Sequence, residues 1–287
     1  MRKRSYNPMF VTYKHTEQIS GRNLRTWRLL RLDVNDAFTN MAVDEAIVNA
    51  RISDSVPNTL RLYRWNPSAV SVGRFQDIAK EVQVDNCRQK DIDIVRRITG
   101  GGTVYHDSQN EITYSIVAKE KDFGTTDVIQ VYNRICGGII EAAKILGVNA
   151  SFSPGDPRNC PTVAIDGKKM SGSAQYHRSG VLLQHGTFLL DVDLEKMFTL
   201  LRVPWAQNLS DVICVAKDKI TSIEKELDRH IDAREASGAL IQGFEKALSI
   251  ELHEGTLTDT EQSYASKLRN EKYSKNAWTL GQIVIQS

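Results

Sequence analysis

Residues 161–190, PTVAIDGKKMSGSAQYHRSGVLLQHGTFLL, read as two successive β-hairpins. Asp166-Gly167 is a strong two-residue turn signal, and Tyr176 to Gly180 reads as a longer second turn. A two-residue turn sets Ile165 opposite Lys168, Ala164 opposite Lys169 and Val163 opposite Met170. Alternation then gives one face to Val163, Ile165, Lys168 and Met170, and the other to Thr162, Ala164, Lys169, Ser171 and Ser173. The first face is a core face with a lysine at its edge, able to snorkel. The second is small and polar around one long cation, which suits a pocket floor. Lys169 is therefore the candidate catalytic cation, against the plainer reading of a solvated lysine on an outer sheet face. Gly186 inside the next strand marks a bulge or a close backbone approach. His185 beside it is more often a hydrogen-bonded structural histidine than a catalyst.

Outward from the hairpins, residues 26–33 read as a strand and Phe38 to Ile52 as a helix. Leu60 to Arg64 and Ala69 to Val72 are strand-like, parted by the turn signal Asn66-Pro67. Ile92 to Ile98 is a β-branched strand, and Glu111 to Val117 alternates as a half-buried strand does. Val128, Val131, Ile135, Ile139, Ala142 and Leu146 mark one apolar face of a helix over about Thr126 to Leu146, capped by Gly147. Gly137-Gly138 within it suggest close packing against another element. Asp193 to Leu201, Arg234 to Leu248 and Thr258 to Arg269 read as further helices. The pattern is α+β with a largely antiparallel sheet. Residues 1–24 form an N-terminal tail, 25–250 one catalytic domain, and 251–287 a short C-terminal helical extension.

The strand at Ile98 runs into Arg96-Arg-Ile-Thr-Gly-Gly-Gly-Thr-Val-Tyr-His-Asp107. Three glycines bare a stretch of backbone that can adopt positive φ and let a ligand approach. The arginines before them are fixed planar donors suited to carboxylate or phosphate. An anion-bearing ligand against the main chain is the functional reading, and a tight turn with solvated arginines the alternative. His106-Asp107 is an acid/base pair or a capping turn.

A chain of 287 residues, 41% hydrophobic and 25% charged, buries enough surface to need no disulfide or structural metal. A net charge of +2 leaves nucleic-acid binding without a global charge to drive it. No run approaches a membrane span, and the basic Arg2-Lys3-Arg4 start lacks the apolar run of a signal peptide. Cys87, Cys136, Cys160 and Cys214 show no paired spacing, so a reducing cytoplasm is the default. The six histidines form no ligand-spaced cluster either, so no protein metal site is expected. Any metal arrives with a phosphate ligand, as magnesium usually does. The glycines are not a phosphate loop, because no Lys-Ser/Thr follows them, and not a dinucleotide fingerprint, because Tyr105 fills its last glycine position. Ser171-Gly172-Ser173-Ala174 lacks the flanks of a serine-hydrolase elbow.

Together, Arg96 to Asp107, Arg158-Asn159 and Asp166 to Ala174 resemble the lipoate–protein ligase family. Gln184-His185-Gly186-Thr187 and Tyr273 to Trp278 extend the likeness, which runs from Asn40-Met-Ala-Val-Asp-Glu-Ala46 onward. The chain also resembles lipoyl/octanoyl transferases and, more distantly, biotin–protein ligases. The resemblance implies a fold like the class II synthetase/biotin ligase catalytic core, a mainly antiparallel mixed sheet with flanking helices. It implies ATP with Mg2+, lipoate as substrate, a lipoyl-AMP intermediate, and transfer to a lysine of a lipoyl domain. Glycine cleavage H protein or the 2-oxoacid dehydrogenase E2 component would supply that domain. The family's lysine falls on Lys169. Arg96 and Arg97 would contact the acid or phosphate, Gly100, Gly101 and Gly102 would bed the acyl chain, and His106 and Asp107 would shape the adjoining wall. Asn159, Ser171, Gly172, His185 and Gly186 fall among its substrate- and nucleotide-binding positions. Longer ligases carry an accessory domain for which this chain is too short, and in family members of this shorter kind activation can require a separate small accessory subunit. The alternative is an octanoyltransferase, which forms an acyl-thioester on a cysteine without ATP. Its two known cysteine positions fall near Pro154 and after Pro204, where Trp205 stands. Cys160 matches neither position, yet it follows Arg-Asn where the ligase pattern has an aspartate, and it is the candidate nucleophile of that reading. A non-catalytic lipoyl-binding or carrier module is the third reading.

Overall fold

Strands in this chain fall into one large sheet and one small one in a computed structural model that describes residues 24–156, 160–206 and 208–281. In chain order they are β1 (Arg25–Asn35), β2 (Thr59–Trp65), β3 (Ala69–Val72), β4 (Asp93–Arg96), β5 (Val104–His106) and β6 (Glu111–Lys119). Then come β7 (Ser151–Ser153), β8 (Thr162–Ile165), β9 (Lys168–Arg178), β10 (Val181–Leu189) and β11 (Ile250–Glu254). The large sheet runs β11-β1-β2-β6-β10-β9-β8-β7, and the small one β4-β3-β5. β1 pairs in parallel with β11 and β2, while every pairing from β2 to β7 is antiparallel. The molecule is thus the α+β, mainly antiparallel mixed sheet with flanking helices that its pattern suggested. The expected N-terminal tail lies, Leu24 apart, outside the described residues. Among those described, no helix is long and apolar enough to cross a membrane.

Helices cover both faces of the large sheet. Helix α1 (Ala37–Ile52) starts where the Asp36 carboxylate accepts the Thr39 N–H at 2.7 Å, an N-cap. It lays Ala42, Val43 and Ile47 on one face with Tyr63, Val117 and Leu183 from the sheet. Helix α2 (Val128–Leu146), ended by Gly147 at φ 102°, and α3 (Ala233–Leu248) cover the other face. There Ile135, Ile139, Leu240 and Phe244 pack over Leu60, Ile116 and Leu182. The segment after residue 250 returns to this body. β11 edges the sheet, and α4 (Asp259–Leu268) packs on α1. Glu261 takes a buried two-pronged ion pair from Arg28 at 2.6 and 2.8 Å.

The central hairpin departs from the expected register in one place. Ile165 pairs with Lys168 and Ala164 with Lys169, but Val163 then faces Ser171, not Met170. Met170 is the extra residue of a β-bulge, and its side chain is buried among Val163 and Ile165. Burying it in the core outweighs keeping the ladder continuous. Beyond the bulge the phase inverts, so Gly172 and Ala174 share the Lys169 face while Ser171 joins Val163. Ser173 follows, with its hydroxyl 3.8 Å from Cys136 Sγ on α2. The second turn is tighter than expected. Pairing continues from Tyr176–Leu183 to Arg178–Val181, and Ser179 and Gly180 alone turn the chain at φ 50° and 71°.

The Gly-Gly pair of α2 is a helix-crossing contact, as its composition suggested. A β-carbon on Gly138 would fall 2.2 Å from the Phe244 ring, and one on Gly243 of α3 would fall 2.4 Å from the Gly138 carbonyl oxygen. Gly243→Ala therefore forces two backbones apart and is expected to lower unfolding free energy by about 1–3 kcal/mol in urea titration. Gly238→Ala, on the same helix with nothing within 4 Å, is expected to raise it by about 0.5–1 kcal/mol.

Candidate active site

Between the α1 face of the large sheet and the small sheet lies a cavity of about 580 Å³, counting its mouth. Its deep end is buried and mostly apolar, formed by Met41, Tyr63, Trp65 and Thr113. Its mouth is formed by the exposed residues Gly101, Gly102, Cys160 and Lys169. The hairpin register sets Lys169, opposite Ala164, at this mouth, and the Met170 bulge brings Gly172 back onto the same face. The Lys169 main chain is pinned by a bond from its N–H to the Lys219 carbonyl at 2.8 Å and one from the Thr221 N–H to its own carbonyl at 3.0 Å. Its amine lies over Gly172, where a β-carbon would come within 2.7 Å of Nζ. The side chain is exposed at the mouth, but protein packed around the amine lowers its pKa from the ordinary lysine value, opposed by negative charge on the Cys160 sulfur and aided by the Arg97 charge.

Arg97 is the buried cation of the cavity wall. Its Nε donates to Thr99 Oγ1 at 3.1 Å, and Nη1 donates to the carbonyl and hydroxyl of Ser71, both at 2.8 Å. Nη2 donates to the carbonyls of Gly100 and Gly102 at 2.8 and 2.9 Å. All five N–H groups are spent inside the protein. Burial brings its pKa down to about 10, so it stays charged at neutral pH.

Two relays meet at this guanidinium. Ser71 Oγ contacts His106 Nε2 at 2.8 Å, and His106 Nδ1 contacts Glu111 at 2.8 Å. Thr99 Oγ1 contacts His185 Nε2 at 2.8 Å, and His185 Nδ1 contacts Asp44 at 3.1 Å. Because each carboxylate only accepts, each histidine carries a proton on Nδ1, and in the neutral ring Nε2 accepts from the hydroxyl. Neither ring has a free nitrogen to offer a ligand. Asp44 also accepts from Arg61 (3.0 Å), Tyr63 (3.1 Å) and Ser115 (2.9 Å). Burial alone would raise its pKa, but the His185 bond, the Arg61 charge and the Ser115 hydroxyl hold it below the usual carboxylate value.

The family model described as the lipoyl protein ligase A/B catalytic domain matches residues 36–245, which span every part of this cavity. The chain belongs to that family. It is 37% identical over 271 residues to an octanoyltransferase LipM of Symbiobacterium thermophilum, covering 88% of this chain and 98% of that protein. It is 33% identical over 272 residues to octanoyltransferase LipM of Bacillus subtilis, covering 88% and 97%. Among solved structures it is similar to a bi-partite lipoate protein ligase from Thermoplasma acidophilum, at 28% identity and TM-score 0.78 over 92% of this chain and 99% of that one. A lipoate-protein ligase A bound with ATP aligns at 28% identity and TM-score 0.76, over 90% and 100%.

Of the residues singled out in this family member's sequence, Lys169, Arg97, Gly101, Gly102, His106, Gly172, His185, Gly186 and Cys160 line the cavity. Arg96 does not. Its guanidinium is buried against the carbonyls of Trp278, Thr279, Gly73, Arg74 and Gln76 at 2.8–3.2 Å. Asp107 also stands off the cavity, taking the Lys196 ammonium at 3.0 Å and the Tyr105 hydroxyl at 2.7 Å. Ser171 is turned to the core side by the bulge, and Gly100 meets the site only through its carbonyl to Arg97. Asn159 lies outside the described residues. Gly186 fits the close-approach reading, since a β-carbon there would come within 2.7 Å of the Gly172 carbonyl. Sequence reasoning missed Ser71, Thr99, Glu111 and Asp44 as parts of the wall. Only Asp44 left a signal, a carboxylate three residues from Met41 and four from Val48 on the buried side of α1. Among the described residues, no group of three or more His, Cys, Asp or Glu is placed to hold a metal ion.

Burial lowers the His185 pKa from its ordinary 6.5, with Asp44 opposing. The unfolded chain therefore binds the proton first as pH falls. The stability that His185 contributes is complete above about pH 6.5 and is lost progressively below it, towards the folded-state pKa. Unfolding free energy should fall as pH drops below about 6.5, and His185→Gln should flatten that slope. An unchanged slope would assign the effect elsewhere.

Proposed function

We propose that this protein moves an octanoyl group from a thioester donor to a lysine of a lipoyl domain, carrying it on Cys160. The reading rests on one observation above others: a cysteine sulfur and the Lys169 ammonium line the same cavity mouth above an apolar pocket. The octanoyltransferases named above, similar over nearly their whole length, support the octanoyl transfer, and Cys160 as carrier rests on its place beside Lys169.

In the first step the Cys160 thiolate attacks the acyl carbonyl of the donor thioester. The tetrahedral adduct expels the donor thiolate, which takes up a proton, and leaves octanoyl-Cys160. In the second step the neutral amine of the acceptor lysine attacks that thioester, gives up a proton to the Lys169 amine left neutral by the first step, forms the amide and returns the sulfur as thiolate. No ATP is consumed. Lys169 supplies the positive charge that both sulfur anions need. Its lowered pKa eases proton donation to the departing thiolate. The apolar pocket takes the hydrocarbon tail, whose burial is worth about 0.8 kcal/mol per methylene.

A second reading, ATP-dependent lipoate ligation with Mg2+, is supported by the likeness to the bi-partite ligase and to the ligase with bound ATP. There Lys169 would hold the carboxylate and α-phosphate, Cys160 would be a bystander, and a small accessory subunit could be required. In either reading the acceptor is a lipoyl domain, such as H protein or E2. Intact mass of an apo lipoyl domain separates the two. The expected result is one added octanoyl group from octanoyl-acyl carrier protein without ATP, lost in Cys160→Ser and in Lys169→Ala. Modification only with lipoate and Mg-ATP, and undiminished in Cys160→Ser, would establish the ligase. Binding of lipoate with no modification under either condition would leave a carrier module.

A further inference from the structure

The backbone of the glycine segment is held in an unusual sense. Gly100 and Gly102 turn their carbonyls onto Arg97 Nη2. The Gly101 carbonyl faces Gly73 so closely that a β-carbon there would lie 2.1 Å from its oxygen. In a trans peptide the N–H points opposite to the C=O. The N–H groups of Gly101, Gly102 and Thr103 are therefore turned away from the groups that hold the carbonyls. Among the described residues, none of these three donors meets an acceptor. Gly101 sits at φ 86°, and a β-carbon on it would be 3.8 Å from Cys160 Sγ and 3.4 Å from Ala174 Cβ. The segment lies exposed at the mouth that Cys160 and Lys169 share.

We propose that the unpartnered N–H groups of Gly101 to Thr103 form the oxyanion site for acyl transfer at Cys160, with Arg97 as the positioning residue that sets them. This inference rests on the acyltransfer reading above. When sulfur attacks, the acyl oxygen gains a full negative charge, and fixed peptide donors stabilise it without reorganising. Were the loop free to rotate, its carbonyls would present the wrong sign to that oxygen. Arg97 prevents the rotation by binding two of them at once. Ser71 and Thr99, locked by His106 and His185, stop the guanidinium from turning. The glycines would then act on the carbonyl carbon, and the acyl chain would lie deeper, toward Met41 and Trp65.

Octanoyl-pantetheine is the probe, and rapid-quench intact mass of the full chain follows octanoyl-Cys160. Arg97→Lys keeps the charge but loses the two-carbonyl grip. Acylation should slow by about 100-fold with an unchanged half-saturating thioester concentration, the scale of losing one oxyanion donor. Alkylation of Cys160 by iodoacetamide should keep its wild-type rate, since the nucleophile is untouched. A dithioester, whose sulfur accepts hydrogen bonds poorly, should lag the thioester in the wild type and much less so in Arg97→Lys. Ser71→Ala and Thr99→Val each remove one anchor and serve if Arg97→Lys does not fold, with acylation slowed by about 10-fold and alkylation unchanged. Absence of any adduct on the wild-type protein would sink the acyltransfer reading itself. A wild-type adduct with acylation unaffected in the variants, or slowed only in step with alkylation, would overturn the oxyanion assignment alone.

Discussion

Five N–H groups on one buried guanidinium meet five oxygens, and the wall of the cavity takes its shape from that match. Taking Arg97 out of water is costly, as the fall in its pKa to about 10 records. Hydrogen bonds to a charged group contribute about 1.5–3 kcal/mol each, so a full set offsets the cost and a partial set would not. Lysine cannot substitute, because a point ammonium has three donors and no fixed fork. The two hydroxyls that Arg97 uses are each committed onward to a histidine, and each histidine to a carboxylate. One side chain thereby ties β3, the glycine segment, β10 and α1 into a single hydrogen-bonded frame.

Its neighbour Arg96 holds a different frame. Adjacent residues of a strand point to opposite faces, so the two arginines cannot reach one ligand together. Arg96 gathers the carbonyls of Gly73, Arg74 and Gln76 and of the helical turn at Trp278, whose indole N–H returns a bond to the Arg96 carbonyl at 2.9 Å. Because Gly73 packs directly on Gly101, the two frames meet at the glycines. The exposed cation left at the mouth is Lys169, placed by the Asp166-Gly167 turn register, with the extra residue Met170 only re-phasing the strand beyond it.

Much of this was legible in the sequence, and the failures have physical causes. The Asp166-Gly167 turn gave the placement of Lys169, and the 3.6-residue stripe gave α2. The alternation of β6 marked a strand but not a half-buried one: its polar residues Glu111, Thr113 and Ser115 are buried too, satisfied by His106, Trp65 and Asp44. The Met170 bulge was invisible because it has no composition of its own; it arises where core demand and ladder register conflict, which only packing reveals. The alternation that placed Lys169 also bore on Arg96 and Arg97, but two adjacent charges invited a joint role. The relays were hidden because Ser71, Thr99 and Glu111 look like ordinary strand residues until the sheets bring them together. The β1–β11 pairing spans more than two hundred residues with no local trace.

The grip of Arg96 on Trp278 and Thr279 also fixes an order of events during synthesis. These partners lie 182 and 183 residues downstream, and at ~5–20 residues per second they leave the ribosome roughly 10–40 s after it. β1 likewise waits for β11 to cover its outer edge. Late in that interval, once Leu189 has emerged, the nascent chain holds every strand but β11, while Arg96 still lacks its partners at Trp278 and Thr279. The cavity mouth is thus completed last, and a chain interrupted before Trp278 would carry Cys160 and Lys169 beside an unfinished glycine wall.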